Sequence, residues 1–311
     1  MGLRMSSAPH IRTSANTQTL MRNVLISLLP CVIAGVIYYE MDAVSLLSIC
    51  VASAVAAEYV WQLIFRLPVR VGDYSAAVTG LILGLTLPPT IPWWGCVIGS
   101  VFAIIVVKQL FGGIGDNFLN PALTARAVLL ASWPARMTTY IDIAKDDVLH
   151  AATMATPLSD ARANAFSNYD LFMGGIPGSV GETCKWAILI GLAYLLITKT
   201  ISWRIPVVTV ASTFVMSYLL GYDPVMAVIS GGILFGAVYM ATDYTTSPMV
   251  PTAQYAYAIG IGVLTVVIRK YGAYPEGVTY AILIMNILTP LLDKYMPNKV
   301  YGHSRKREAT K

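Results

Sequence analysis

Ten runs of apolar residues follow one another along the chain, separated by short polar turns and, in one place, by a long polar segment. They fall at Asn23–Tyr39, Val44–Phe65, Ala76–Leu87, Trp93–Val107 and Leu119–Ser132, then at Cys184–Ile197, Ile205–Leu220, Val225–Ala241, Ala253–Ile268 and Val278–Leu292. No other feature constrains the fold as strongly. So many apolar runs cannot be hidden inside a soluble molecule of 311 residues, because only 12% of the residues are charged. A soluble domain carries about twice that share. The expectation is an all-α polytopic membrane protein of about ten transmembrane helices, which excludes a soluble enzyme, a disordered linker and a nucleic-acid binder.

Several runs are shorter than the roughly 17–25 residues of a clean span. Ala76–Leu87 runs straight into Pro88-Pro89, and Val225–Ala241 contains Gly231-Gly232. Such interruptions suggest broken helices whose freed backbone groups are satisfied inside the protein. The two sets of five also echo one another. Val78-Thr-Gly-Leu-Ile-Leu resembles Ile229-Ser-Gly-Gly-Ile-Leu, and Pro89-Thr-Ile-Pro92 resembles Pro248-Met-Val-Pro251. Lys108 before Phe111-Gly112 resembles Arg269 before Tyr271-Gly272. Two units of five spans have opposite orientations, so the expectation is a pair of five-helix inverted repeats.

The basic residues orient the chain. With the N-terminus inside, fourteen Lys and Arg fall on the cytoplasmic side and six outside, with Arg126 within a span. That asymmetry predicts both termini in the cytoplasm. The organisation then reads as a polar cytoplasmic segment over 1–22, a first membrane repeat over 23–132, an extracytoplasmic segment over 133–183, a second repeat over 184–292 and a basic tail over 293–311. Residues 1–22 lack the pattern of a cleaved signal and read as a cytosolic lead. The net charge of +5 fits basic cytoplasmic loops and implies no nucleic-acid partner.

Cys31, Cys50, Cys96 and Cys184 form no CxxC pair and read as small buried hydrophobes. With only three histidines, the chain does not look like a metalloprotein, and no metal ligand is expected. Three stretches could carry chemistry. Phe111-Gly-Gly-Ile-Gly-Asp-Asn-Phe-Leu-Asn-Pro-Ala-Leu-Thr-Ala-Arg126 joins close-approach glycines to the amides of Asn117 and Asn120 and a helix-starting Pro121. It reads equally as a turn with a capped helix. Thr153-Met-Ala-Thr-Pro-Leu158 reads locally as an exposed turn, although a hydroxyl there is open to a modifying enzyme. Phe172-Met-Gly-Gly-Ile-Pro-Gly-Ser-Val-Gly-Glu-Thr183 reads as a glycine-rich re-entrant loop or a ligand site. Ionisable residues in or beside spans are costly and mark candidate ion paths. Here they are Glu58, Asp116 and Asp243; Glu58 lies too far from Arg66 for a helical pair and needs a partner from another helix, a cation or a proton.

Taken in order over almost the whole chain, these three motifs resemble one family. It unites the D subunit of the Rnf complex, the ion-translocating ferredoxin:NAD oxidoreductase, with the B subunit of the sodium-pumping NADH:quinone reductase. The resemblance implies a membrane electron-relay subunit, enzymatic only as part of a translocase, coupling flavin electron transfer to movement of Na⁺ or H⁺. It implies a covalent FMN joined through its phosphate to a threonine by a flavin transferase. The family's acceptor ends a Ser/Thr–small–Ala–Thr pattern, which falls on Thr156, with Met154 where glycine is common. It also implies a non-covalent riboflavin, to which Asn117, Asn120 and Pro121 are assigned. The implied partners are the A, B, C, E and G subunits, with the FMN-bearing G subunit nearest, and the implied location is the cytoplasmic membrane. No Rossmann fingerprint and no cysteine cluster is present, so ferredoxin oxidation and NAD reduction fall to the partners. The competing reading is a channel or secondary transporter for a small polar solute, which broken inverted repeats would also suit.

Overall fold

The computed structural model describes residues 16–140, 168–174, 176–272 and 277–296. Among these residues all regular structure is helical, and the segment with Thr153 and Thr156 lies outside them. Asn16 starts helix α1 (Thr17–Ile64) by accepting from the Thr19 amide at 2.9 Å. A straight helix of 48 residues would be roughly 72 Å long. Yet the Gln18 side chain donates to the Gly72 carbonyl at 3.1 Å, only eight residues past Ile64. The chain therefore reverses within α1, and it does so at Glu40, whose φ of 47° and ψ of −128° break the helical path. Glu40, Met41 and Asp42 form an exposed tip. The limbs 17–39 and 41–64 match the first two apolar runs.

Among the described residues three helices are long and apolar enough to cross a membrane: Thr17–Ile64, Trp93–Phe111 and Pro251–Tyr271. Shorter apolar helices fill the space between them. They include α2 (Ser75–Thr86), α4 (Pro121–Ser132), α7 (Lys185–Ile197) and α8 (Arg204–Leu219). Helix α3 (Trp93–Phe102) continues into a π turn over Ala103–Lys108 and a 3₁₀ turn over Gln109–Phe111. Two short helices, α5 (Pro134–Met137) and α6 (Asn168–Met173), stand on either side of the long polar segment. The Val225–Ala241 run is broken into α9 (Pro224–Ile229), α10 (Ile233–Phe235) and a π turn over Gly236–Met240. Helices α11 (Pro251–Tyr271) and α12 (Val278–Tyr295) follow.

Large aliphatic residues lie both inside the bundle and on its outer faces, and small residues line several of the helix contacts. On the first limb of α1, Ile26, Leu29, Ile33 and Ile37 share one exposed face, while Cys31, Ala34 and Gly35 are buried. Lipid makes an exposed apolar face inexpensive, so close packing of small residues binds helix to helix. Gly80 of α2 is one such contact: a Cβ there would stand 2.7 Å from the Cys50 carbonyl oxygen of α1. All four cysteines are buried and unbridged.

Where α2 breaks off before Pro88, its last carbonyls are not abandoned. The Gly181 and Val180 amides donate to Leu85 and Leu87 oxygens at 2.7 and 3.3 Å. The glycine-rich segment around Ile176–Thr183 thus enters the bundle and closes the end of a broken helix with its own backbone, as buried polar groups demand. The carbonyls freed at the end of α9 are met by cations instead. Arg269 donates to Ala227 and Ser230 oxygens at 2.7 and 3.3 Å, and Lys185 donates to the Gly231 oxygen at 3.2 Å.

Candidate functional site

Among the described residues, three polar assemblies with buried or partly buried charged groups stand out in the apolar interior. The first is built on Glu58. Lys108 holds both carboxylate oxygens at 2.8 and 3.0 Å and also donates to Ser75 Oγ at 2.6 Å. Gln109 Nε2 donates to Glu58 Oε1 at 2.7 Å, and Gln62 lies alongside at 3.4 Å while its own oxygen accepts from the Arg70 amide. Glu58 and Lys108 are both buried. Of the three partners open to Glu58, the structure supplies one from another helix. Lys108 is one of the fourteen basic residues counted to the cytoplasmic side, and this contact corrects its reading as a loop charge: it is a buried ion-pair partner.

The second assembly joins the glycine-rich mouth to the turn before α11. Gly112, Gly113 and Gly115 have φ values of 117°, 100° and 104°, a backbone open to residues without a Cβ. Asn120 caps α4 by accepting from the Leu123 amide at 3.2 Å, and Pro121 occupies the first helical position. The Asn120 amide also donates to the Met240 oxygen at 3.3 Å. Asn117 donates to the Leu119 oxygen at 3.1 Å and to Thr245 Oγ1 at 2.9 Å. Thr245 and Thr246 in turn donate to Asp243 Oδ2 at 3.1 and 3.2 Å. Asn117, Asn120 and Asp243 therefore come together although the asparagines and the aspartate are far apart in the chain. Asp116 stays exposed at the rim, beside the edge-to-face rings of Phe111 and Phe118, whose centroids are 5.1 Å apart.

The third assembly brings together residues that sequence reasoning missed as a group. Arg126 Nη1 donates to Glu182 Oε1 at 2.5 Å, and Ser179 Oγ donates to Oε2 at 3.2 Å. Lys185 donates to the backbone oxygen of Glu182. Arg126, Glu182 and Lys185 are all buried, so Lys185 too is an interior cation rather than a charge of the outer loop. A signal for the assembly exists in the sequence, since Arg126 is a basic residue inside an apolar run and such residues mark functional interiors. Among the described residues no group of His, Cys, Asp and Glu could hold a metal ion.

A family model described as the NQR2, RnfD, RnfE family matches residues 4–302. The chain is similar to the D subunit of the Na(+)-translocating ferredoxin:NAD(+) oxidoreductase complex of Acetobacterium woodii, with 46% identity over 99% of this chain and 98% of that protein. It is 37% identical to the D subunit of the proton-translocating ferredoxin:NAD(+) oxidoreductase complex of Clostridium ljungdahlii, over 97% of this chain and 96% of the relative. The D subunit of an ion-translocating oxidoreductase complex from Halorhodospira halophila is 33% identical, with 96% and 95% covered.

Proposed function

The chain belongs to the NQR2, RnfD, RnfE family, and on that footing we propose that it is the membrane electron-relay subunit of an ion-translocating ferredoxin:NAD⁺ oxidoreductase complex. It carries FMN as a phosphoester on Thr156. The observation that supports this most is full-length similarity to subunits bearing that name, joined to the ordered motifs ending at Arg126, Leu158 and Thr183. FMN supplies one- and two-electron chemistry when bound. Thr156 is its anchor and takes no part in the electron transfer. A flavin transferase makes the ester, and the other Rnf subunits deliver and remove electrons, the flavin-bearing G subunit being the nearest.

In this proposal the membrane part consists of ten spans in two inverted units. The limbs of α1 with α2, α3 and α4 form one unit; α7, α8, the broken α9–α10, α11 and α12 form the other. Two contacts support the pairing of the halves. Lys108, at the end of the π turn that follows α3, reaches Ser75 at the start of α2, and Arg269, near the end of α11, reaches Ala227 within α9. These cations are the pair that the sequence repeat aligns. Both termini are cytoplasmic and the segment over 133–183 is extracytoplasmic, except that its glycine-rich end from Ile176 to Thr183 re-enters the bundle.

Glu58, Asp116 and Asp243 remain the proposed ion-path carboxylates from the sequence. For a second, non-covalent riboflavin, the amide hydrogens of Asn117 and Asn120 are committed within the chain. The exposed rings of Phe111 and Phe118 are then the surface such a flavin would meet, beside Pro121. In-gel fluorescence tests the central reading. The denatured chain coexpressed with a flavin transferase fluoresces, and Thr156→Ala abolishes the signal. Fluorescence lost instead with Thr153→Ala corrects the register. A chain that never fluoresces leaves the transporter reading.

A further inference from the structure

Helices α8 and α11 run side by side in the same direction. Arg204 at the start of α8 meets Gln254 near the start of α11, and Leu220 just past α8 meets Lys270 near the end of α11. Midway the two helices touch through small residues, since a Cβ on Gly262 would collide with Ser212 Oγ. Around that contact a groove of about 380 Å³ opens on the outer face of the pair. Val207, Ala211, Val215 and Leu219 of α8 line it, with Ile259 and Val263 of α11.

Polarity, length and charge together say what fits there. The lining is hydrocarbon, and the Ser212 hydroxyl at its floor is already bonded, donating to the Thr209 oxygen of its own helix at 3.0 Å. Val207 and Leu219 are twelve residues apart, roughly 18 Å of helix. One leaflet of a bilayer's hydrocarbon core is roughly 15 Å deep, so the groove has the length of one acyl chain. It ends at a cation. Lys270 stands about two turns beyond Val263, on the same face of α11, and is exposed. Its ammonium donates to the Leu220 oxygen at 3.1 Å and lies 5.6 and 5.8 Å from the ring centres of Tyr222 and Tyr271. Both rings are exposed, as aromatic residues at a membrane interface are. These contacts hold the charge beside the groove and leave hydrogens of the ammonium for a ligand. Arg204, at the other end, is half-buried and donates to Gln254 Oε1 at 3.4 Å.

We propose that this groove seats one acyl chain of an anionic phospholipid whose phosphate headgroup sits on Lys270. The site rests on the membrane class of the chain and not on the electron-relay reading; in the proposed topology the lipid belongs to the outer leaflet. Basic residues near a membrane surface attract anionic lipids, and the groove adds a fixed place for the tail. A partner subunit's helix fits less well. Helices dock through small residues and hydrogen bonds between helices, whereas Ala211 stands here among branched side chains. An uncharged lipid or an isoprenoid quinone would fill the groove without using Lys270. The bound headgroup also steadies the end of α11, where the adjacent Arg269 closes the broken end of α9 through the Ala227 and Ser230 oxygens.

The test places the full chain in phosphatidylcholine vesicles with a trace of photoreactive lipid, either phosphatidylglycerol or phosphatidylcholine carrying a diazirine in its acyl chain. Labelled peptides are mapped by mass spectrometry. The phosphatidylglycerol probe is expected to label the groove peptides of α8 and α11 about fivefold more than the phosphatidylcholine probe. Lys270→Gln is expected to remove that preference, and Arg204→Gln to leave it. Ala211→Trp, which fills the groove, is expected to remove labelling by both probes. Equal labelling of the wild type by the two probes overturns the proposal, as does a preference that survives Lys270→Gln or is lost with Arg204→Gln instead. Labelling unchanged by Ala211→Trp also overturns it; where that variant does not fold, Val215→Trp decides in its place. The labelling is repeated in the assembled complex, and its loss there, with a partner subunit's helix over the groove, overturns the proposal too. An excess of isoprenoid quinone that displaces the phosphatidylglycerol probe from the wild type and from Lys270→Gln alike assigns the groove to the quinone and overturns the headgroup site.

Discussion

Glu58 shows what a single residue can and cannot announce. Its position in an apolar run implies a partner, and the identity of that partner is hidden because Lys108 is 50 residues away. The π turn over Ala103–Lys108 changes the helical phase just before the lysine, and nothing in the run Ile104-Ile-Val-Val107 signals it. Arg126 and Glu182 are hidden for the same reason: their pairing exists only across the fold. Removing one member of a buried pair leaves an uncompensated charge, at a cost of about 3–5 kcal/mol. Lys108→Met is therefore expected to lower the thermal stability of the detergent-solubilised protein sharply. The double change Glu58→Gln with Lys108→Met should recover most of the loss. Equal instability of the single and double variants would contradict the pairing.

At the scale of elements, the breaks are legible in the sequence and their closures are not. Pro88-Pro89 and Gly231-Gly232 stop helices for reasons of backbone chemistry, and the polar tip at Glu40–Asp42 separates two runs in the sequence. What satisfies the broken ends depends on distant chain. Val180 and Gly181 close α2, and Lys185 and Arg269 close α9; no local pattern foretells such pairings. The close approach of α2 to α1 gives a sharp prediction. At Gly80 the obstacle is the Cys50 backbone oxygen, 2.7 Å from where a Cβ would stand, so side-chain movement cannot relieve a clash. Gly80→Val is expected to destabilise by about 1–3 kcal/mol through overpacking, read as a lower unfolding temperature and a lower yield of folded protein. Val78→Ala, a truncation on the same helix, should be tolerated better. Equal stability of Gly80→Val and wild type would mean that the two helices do not meet as described.

At the scale of the molecule, hydropathy and charge carry most of what the sequence discloses. The membrane class and the helical architecture follow from apolar runs, and the family follows from ordered motifs that the full-length similarity bears out. The charge count is softened by Lys108 and Lys185, which are buried in the bundle and so are not loop charges. The remaining bias still favours cytoplasmic termini. A cysteine placed at Asn168 should react with an impermeant thiol reagent in intact cells, and one placed at Ser304 should not; the reverse pattern would invert the topology. The electron-relay account itself is tested most directly by intact mass and peptide mapping of the chain matured with a flavin transferase. The account predicts an added mass of one FMN less one water, located on the peptide bearing Thr156 and absent from Thr156→Ala. An unmodified chain, or a flavin on another residue, would contradict it.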